Sequence, residues 1–265
     1  MNAADKIEGT AVNELVHLTV HDSIATITLD SPSNRNALSR QLVGELGAHL
    51  HTAMNDPEVR AIVLTATGTV FCAGGDLKER GIATADDQDA PSFADILHTI
   101  MTGATPVVLK LNGPARAGGL GLIAAADIAV APSEATFAFS EVRIGVAPAI
   151  IAVPCTRKMT ARSIARYFLT GATFDAAAAK EAGLVTIVSD DVEASCAEVL
   201  TALRLAAPGA LRAAKALITQ ARDQELGAAL TAMEAESARL FSSDEAKEGM
   251  AAFLEKRAPS WTAPA

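Results

Sequence analysis

Residues 61–77 read AIVLTATGTVFCAGGDL, an apolar run that gives way to paired glycines. Ala61–Ala66 is short and continuously apolar apart from Thr65, as a strand packed inside a sheet should be. Gly74 and Gly75 follow in the cluster Phe71–Leu77, where a strand turns over into what reads as the start of a helix. The same grammar recurs downstream. A buried strand at Val107–Leu111 and the turn Asn112-Gly113-Pro114 lead into ARAGGLGL, Ala115–Leu122. Glycine in such places lets backbone N–H groups face a ligand with no Cβ in the way. A helix N-terminus adds a positive partial charge that favours an anion. Neither cluster has the spacing of a dinucleotide fingerprint, and no Gly-Lys-Ser/Thr follows, so a nucleotide-phosphate loop is disfavoured.

Outward from this centre, the chain keeps alternating strand and helix. On the N-terminal side, LVHLTVHDSIATITLD (15–30) alternates at period two around Asp22-Ser23 and predicts a β-hairpin. His17 and His21 fall on the face opposite Val16, Leu18 and Val20, as solvated imidazoles and not metal ligands. Ser39 can cap a helix in which Leu42, Val43, Leu46, Leu50 and Ala53 recur at helical spacing, until Asn55-Asp56-Pro57 ends it. On the C-terminal side, Ile128–Val130 and Thr136–Phe139 read as further strands, and beyond Asp190 the pattern is helical throughout. The acidic stretch 83–91, ATADDQDAP, reads as a surface loop. Strands interleaved with helices indicate an α/β class with a parallel component.

Composition closes several alternatives. Lys and Arg number 22 against 31 Asp and Glu, a net charge of −9, and no basic cluster appears, so no nucleic-acid partner is expected. One Tyr and one Trp offer little for stacking bases. Cys72, Cys155 and Cys196 are far apart and odd in number, which fits a reducing compartment and gives no metal site. The most apolar stretch, Leu120–Ala131, is too short for a membrane span and is broken by Asp127. The first residues, MNAADKIEGTAV, carry no apolar run of the kind a leader needs, so a cytoplasmic location is expected.

The order of these features resembles the enoyl-CoA hydratase/isomerase family, also called the crotonase family, over nearly the whole chain. The resemblance rests on NRNALS (34–39), AIVLTATG (61–68), FCAGGDL (71–77) and the second glycine cluster after the strand at 107–111. It continues through ADIAVA (126–131), FAFSEVRIGVAP (137–148), LTG (169–171), AGLV (182–185) and FLEKRAP (253–259). It implies a crotonase-like α/β fold of repeated β-β-α units, with a core over 1–205 and a helical C-terminal region over 206–265. It further implies an acyl-CoA thioester as substrate, no cofactor beyond the coenzyme A of that substrate, no metal, and assembly as a homotrimer or a hexamer. In such enzymes two backbone N–H groups hold the thioester oxygen as it becomes an enolate, and the matching positions are Gly75 and Gly118. Preset donors of this kind are commonly worth about 100- to 1,000-fold in rate each.

The carboxylates depart from the family pattern. A hydratase of the family normally carries two glutamates, and an ungapped match puts Gly121 where the first should stand. The second is retained as Glu141, with Ser140 in place of the common proline. One glutamate suffices to move a proton between carbons of an enoyl thioester, whereas losing a general acid/base typically costs hydration about 100- to 10,000-fold. Arg116, Glu79 and Arg143 are the nearby groups that could orient a water instead. An apolar acyl pocket built from Phe137 and Phe139 would raise the pKa of Glu141.

For coenzyme A the resemblance implies Asn34 and Arg35, with backbone from Ala73, Asp76 and Leu77. Phe253 and Lys256 match residues that reach a neighbouring subunit's ligand. Cys72 reads as a small buried thiol and Asp127 as a structural residue at a strand start. Two readings stand: an enzyme that isomerises or hydrates an enoyl-CoA, or runs a related decarboxylation, dehalogenation or hydrolysis, and an acyl-CoA-binding protein with little turnover.

Overall fold

The computed structural model describes residues 14–76, 78–79, 91–220, 239 and 243–262, apart from the side chains of residues 220 and 253. Its first element is the hairpin, β1 (Val16–His21) and β2 (Ile24–Leu29), paired antiparallel in register from Val16↔Leu29 to His21↔Ile24. Asp22 and Ser23 both take positive φ (48° and 61°), as a tight two-residue hairpin loop requires. Alternation holds on β2 but not on β1. Val20, expected on the apolar face, is half-exposed near the end of β1, the edge strand of its sheet.

Every later strand of the main sheet is parallel to its neighbour. β3 (Ala61–Ala66) pairs with β2, β4 (Val107–Lys110) with β3, β6 (Ile128–Pro132) with β4, and β9 (Ile187–Ser189) with β6, giving the order β1-β2-β3-β4-β6-β9. Parallel neighbours need crossovers, and helices supply them. α1 (Arg40–Asn55) joins β2 to β3 and α2 (Phe93–Thr102) joins β3 to β4. α3 (Gly118–Ala125) precedes β6. α4 (Ala149–Lys158), α5 (Ala161–Thr170) and α6 (Ala176–Glu181) lie between β6 and β9. The Ser39 hydroxyl accepts from the Leu42 N–H and caps α1 as expected, and all of Leu42, Val43, Leu46, Leu50 and Ala53 are buried. α7 (Val192–Leu205), α8 (Pro208–Gln220) and α9 (Asp244–Glu255) follow, and among the described residues no strand comes after β9.

A second sheet of three short strands, β5 (Ala115–Arg116), β7 (Thr136–Ala138) and β8 (Phe174–Asp175), stands beside the first. Phe137 and Phe139 belong to its core. Both are fully buried, Phe137 lying 5.7 Å from Phe174 and Phe139 4.5 Å from Phe168 between ring centres, while Tyr167 stacks on Phe174 at 3.9 Å. The expectation that they line an acyl pocket is therefore corrected: their rings pack on Phe174 and Phe168.

Candidate active site

Four chain segments run side by side, and their register brings the chemistry together. Cys72 bridges Ala115 in parallel, with Phe71 N–H donating to Pro114 O (3.0 Å) and Arg116 N–H to Cys72 O (2.9 Å). β5 pairs in parallel with β7 (Ala115↔Phe137, Arg116↔Ala138), and Ala117 N–H extends the ladder to Ala138 O at 3.1 Å. On the other flank Leu38 bridges Gly75 in parallel, giving its N–H to Gly74 O (2.8 Å) and accepting from Asp76 N–H (3.3 Å). Because all four segments run the same way, their C-terminal ends lie on one side, with Gly75 on the Leu38 bridge and Gly118 and Glu141 a few residues beyond the β5–β7 pairing.

The two glycines present their N–H groups for distinct reasons. In a parallel bridge the bonded residue is Leu38, so the N–H and C=O of Gly75 point away from it. Gly118 is the first residue of α3, where an N–H has no partner within the helix. Ala117 ahead of it holds φ 46° and ψ −116°, a costly conformation for a residue with a Cβ, which ends β5 and starts α3 within one residue. The loops touch: a Cβ on Gly74 would lie 2.8 Å from Ala117 Cβ and 3.4 Å from Gly118 N. The second cluster does open a helix, as expected. The first does not: among the described residues of 71–79 there is turn and bridge structure but no helix.

Glu141 sits in the 3-10 turn Ser140–Ile144 that follows β7, and Gly145 at φ 82° closes that turn on the Glu141 carbonyl. The side chain is partly buried, with Oε2 shielded from solvent. Beside it lies Cys155 of α4, whose pKa is pushed up by burial first and then by the negative charge of Glu141. The Cys155 thiol also contacts Leu120 O of α3 at 3.9 Å. Thus Glu141, α4 and the first turn of α3 form one corner.

Position 121 is closed. A Cβ there would overlap Cγ2 of Ile151, lie 3.0 Å from Ile151 Cβ and 3.7 Å from Leu97 Cδ1. Ile151 itself is 3% exposed. The groups considered for orienting a water are engaged elsewhere. Arg116, its pKa lowered by burial, donates to Thr136 O and Oγ1, Arg143 Nε donates to Gly171 O (3.0 Å), and Glu79 accepts from Arg40 N–H (2.8 Å).

Of the expected coenzyme A residues, Asn34, Arg35, Ala73 and Asp76 are linked in pairs. Asn34 Nδ2 donates to Asp76 Oδ2 (2.8 Å), and Ala73 N–H donates to the carbonyl of Arg35, an exposed residue at φ 52°. The Lys78 N–H bond first, and then Asn34, hold the Asp76 carboxyl below its usual range. Leu77 lies outside the described residues, as does most of the expected loop 83–91, and the Phe253 side chain is not described although its backbone is in α9. Lys256, exposed and at φ 54°, follows α9. That end of the chain is tied to the start of β3 through Arg60 donating to Trp261 O (3.0 Å), the opposite end of the strand from the glycine loop. Within one chain the structure does not bring Phe253 and Lys256 to the site.

Cys72 is a small buried thiol, as expected, and burial pushes its pKa up to about 12. His17, expected as a solvated imidazole, is instead bonded to Asp30 (3.0 Å) and Glu14 (3.2 Å) while half-exposed. Asp127 is structural as expected, accepting from Val107 N–H at 2.7 Å. Sequence reasoning missed its partner Lys215, 4% exposed, whose Nζ reaches Asp127 Oδ2, Ile100 O and Thr105 O within 2.9 Å. It also missed Asn36, buried, which accepts from Ser31 N–H and donates to Thr67 O and Val70 O, tying the 34–39 loop to the strand end. A cavity of about 700 Å³ lies between α2, α4 and α8, walled by Leu97, Met101, Ile150, Val153 and Ile218 among others. Among the described residues no cluster of His, Cys, Asp or Glu is arranged for a metal, and no helix is long and apolar enough to cross a membrane.

A parallel-stranded α/β core whose glycine loops and one carboxylate meet at a strand end defines a protein of the crotonase fold. Known proteins agree. Residues 19–264 match the family model of enoyl-CoA hydratase/isomerase. The chain is similar to enoyl-CoA hydratase EchA19 of Mycobacterium tuberculosis, 34% identical over 244 residues that cover 89% of this chain and 91% of that one. Among solved structures it resembles an enoyl-CoA hydratase from Mycobacterium avium (42% identity, TM-score 0.70, covering 95% and 100% of the two chains). It also resembles an enoyl-CoA hydratase/isomerase from Marinobacter aquaeolei (30% identity, TM-score 0.87, covering 95% and 100%). The chain belongs to the enoyl-CoA hydratase/isomerase family.

Proposed function

We propose that this protein isomerises the double bond of an enoyl-CoA, with Gly75 and Gly118 N–H holding the thioester oxygen and Glu141 as acid and base. The observation that supports the reading is the parallel register of the segments that lead into Gly75, Gly118 and Glu141, together with a glycine and no acid at position 121. Removing a proton from the γ-carbon of a 2-enoyl thioester leaves a dienolate whose charge falls on the thioester oxygen. Donors fixed in advance stabilise that charge without reorganising. Glu141 then returns the same proton to the α-carbon, so atoms balance and no water enters. The coenzyme A lies along Asn34, Arg35, Ala73, Asp76 and Leu77, and the acyl chain runs by Phe93 and Leu97 towards the α2–α4–α8 cavity. Phe93 supports that course, since its ring lies 3.6 Å from where a Gly118 Cβ would be. No metal or further cofactor takes part. We also place the protein in the cytoplasm and in a trimer or a dimer of trimers, in which Phe253 and Lys256 serve a neighbouring site.

A paired assay tests it. Purified protein and its Glu141→Gln variant are offered trans-2-enoyl-CoA and the 3-enoyl isomer, with products resolved by chromatography and mass. Interconversion without mass gain, falling about 100- to 10,000-fold in Glu141→Gln while acyl-CoA binding survives, is expected. Rapid gain of water by the natural protein would make it a hydratase. Bound but unchanged thioester in both proteins would leave an acyl-CoA-binding protein, or one with another family chemistry.

A further inference from the structure

We infer that Ile151 selects the reaction outcome, by filling the place beside the enolate cradle from which a second acid or a held water would act. The inference rests on the isomerase reading above and identifies the residue that enforces it. Gly118 and Gly121 are three apart on α3, so they share a face, and a side chain at 121 would project next to the donor at 118. That face is met by α4. Ile151 covers Gly121, and Cys155, one turn on, meets Leu120 and Glu141. What α4 sets against α3 at positions 121 and 120 is thus a branched hydrocarbon and a thiol.

The obstruction is near the backbone and cannot swing aside. The atoms that a Cβ at 121 would meet are Cβ and Cγ2 of Ile151, and a β-branched side chain in a helix keeps one χ1 rotamer. Hydration adds hydroxyl to the β-carbon and a proton to the α-carbon, so it consumes a water that something must hold and deprotonate. Isomerisation consumes nothing, since the proton removed is the proton returned. A dry wall opposite one carboxylate therefore suppresses the first reaction and leaves the second.

The test compares the natural protein with Ile151→Gly, Gly121→Glu and the double variant, each with and without Glu141→Gln. The readout is the ratio of hydrated to isomerised product from trans-2-enoyl-CoA, which a merely structural role at 151 would not move. Gly121→Glu alone should gain no hydration, whereas the double variant should raise the ratio about 100-fold, the worth of one general acid/base. If the double variant does not fold, Ile151→Ala, which removes the Cγ2 methyl, replaces it and should raise the ratio, whereas Ile151→Val, which keeps both obstructing atoms, should not. Glu141-dependent turnover whose product ratio is indifferent to residue 151 would overturn the inference and leave the isomerase reading standing. Rapid hydration by the natural protein would overturn both, and turnover indifferent to Glu141 would overturn the isomerase reading itself.

Discussion

Gly121 is where helix propensity and packing oppose each other. In an open helix, Gly→Ala gains up to about 1 kcal/mol from backbone entropy. At position 121 the added methyl overlaps Ile151, and overpacking of a filled core costs about 1 to 3 kcal/mol. Gly121→Ala is therefore expected to destabilise the natural protein but to stabilise Ile151→Gly, where the space is open. Urea unfolding of the four proteins of this cycle measures the coupling; additive effects would mean that the two residues do not share that space. Glu141 and the two glycine clusters could be picked out as candidates in the sequence because their motifs stand in a fixed order. Ile151 was not, because what it does depends on a contact between α3 and α4, some thirty residues apart in the chain. Asn36 escaped for the same reason, its partners being carbonyls at Thr67 and Val70.

Among the elements, α8 and the hairpin are each fastened by charge. Lys215 and Thr219, one turn apart on α8, donate to Ile100 O and Met101 O at the end of α2, satisfying carbonyls that a helix C-terminus leaves open. Burial lowers the Lys215 pKa, and the Asp127 carboxylate opposes that shift. Lys215→Met would leave Asp127 and two carbonyls without their cation, so a loss of about 3 to 5 kcal/mol is expected in urea unfolding. The hairpin is held less firmly. Asp30, bonded to Thr67 Oγ1 (2.6 Å) and His17, raises the His17 pKa above 6.5, so the stability this bond contributes is full below 6.5 and is lost as pH rises through the raised value. Asp30 is itself lowered below 3.8, chiefly by Thr67, and its share is present above 3.8 and lost as pH falls through the lowered value. Both groups are partly exposed, so the slope is a few tenths of a kcal/mol, and thermal melts of His17→Gln between pH 5 and 8 should lack it. The hairpin and α1 were readable from period and capping alone. β5 and β8, two residues each, carry no period to read, and the second sheet exists because distant segments pair.

At the scale of the whole molecule, a net charge of −9 should keep copies apart, yet one face carries almost no charge. From Val142 to Val153 the single ionisable side chain is Arg143, and its Nε is committed to Gly171 O. On this stretch Ile144, Val146, Ile150 and Val153 are each more than half exposed, and Leu169 of neighbouring α5 is 79% exposed. Apolar area of this extent is normally covered. The turn that carries Glu141, Ser140–Ile144, overlaps its edge, so under the proposed mechanism whatever covers the face would also steady that carboxylate. If copies of this chain are the cover, light scattering should give three or six times 27.3 kDa, and Ile144→Glu should shift the mass towards one chain. Turnover should fall with the mass, because the Glu141 turn loses its support, while the unfolding midpoint of the separated chain still reports a folded core. A natural protein that runs as a single chain at full turnover would show that the turn stands without a neighbour.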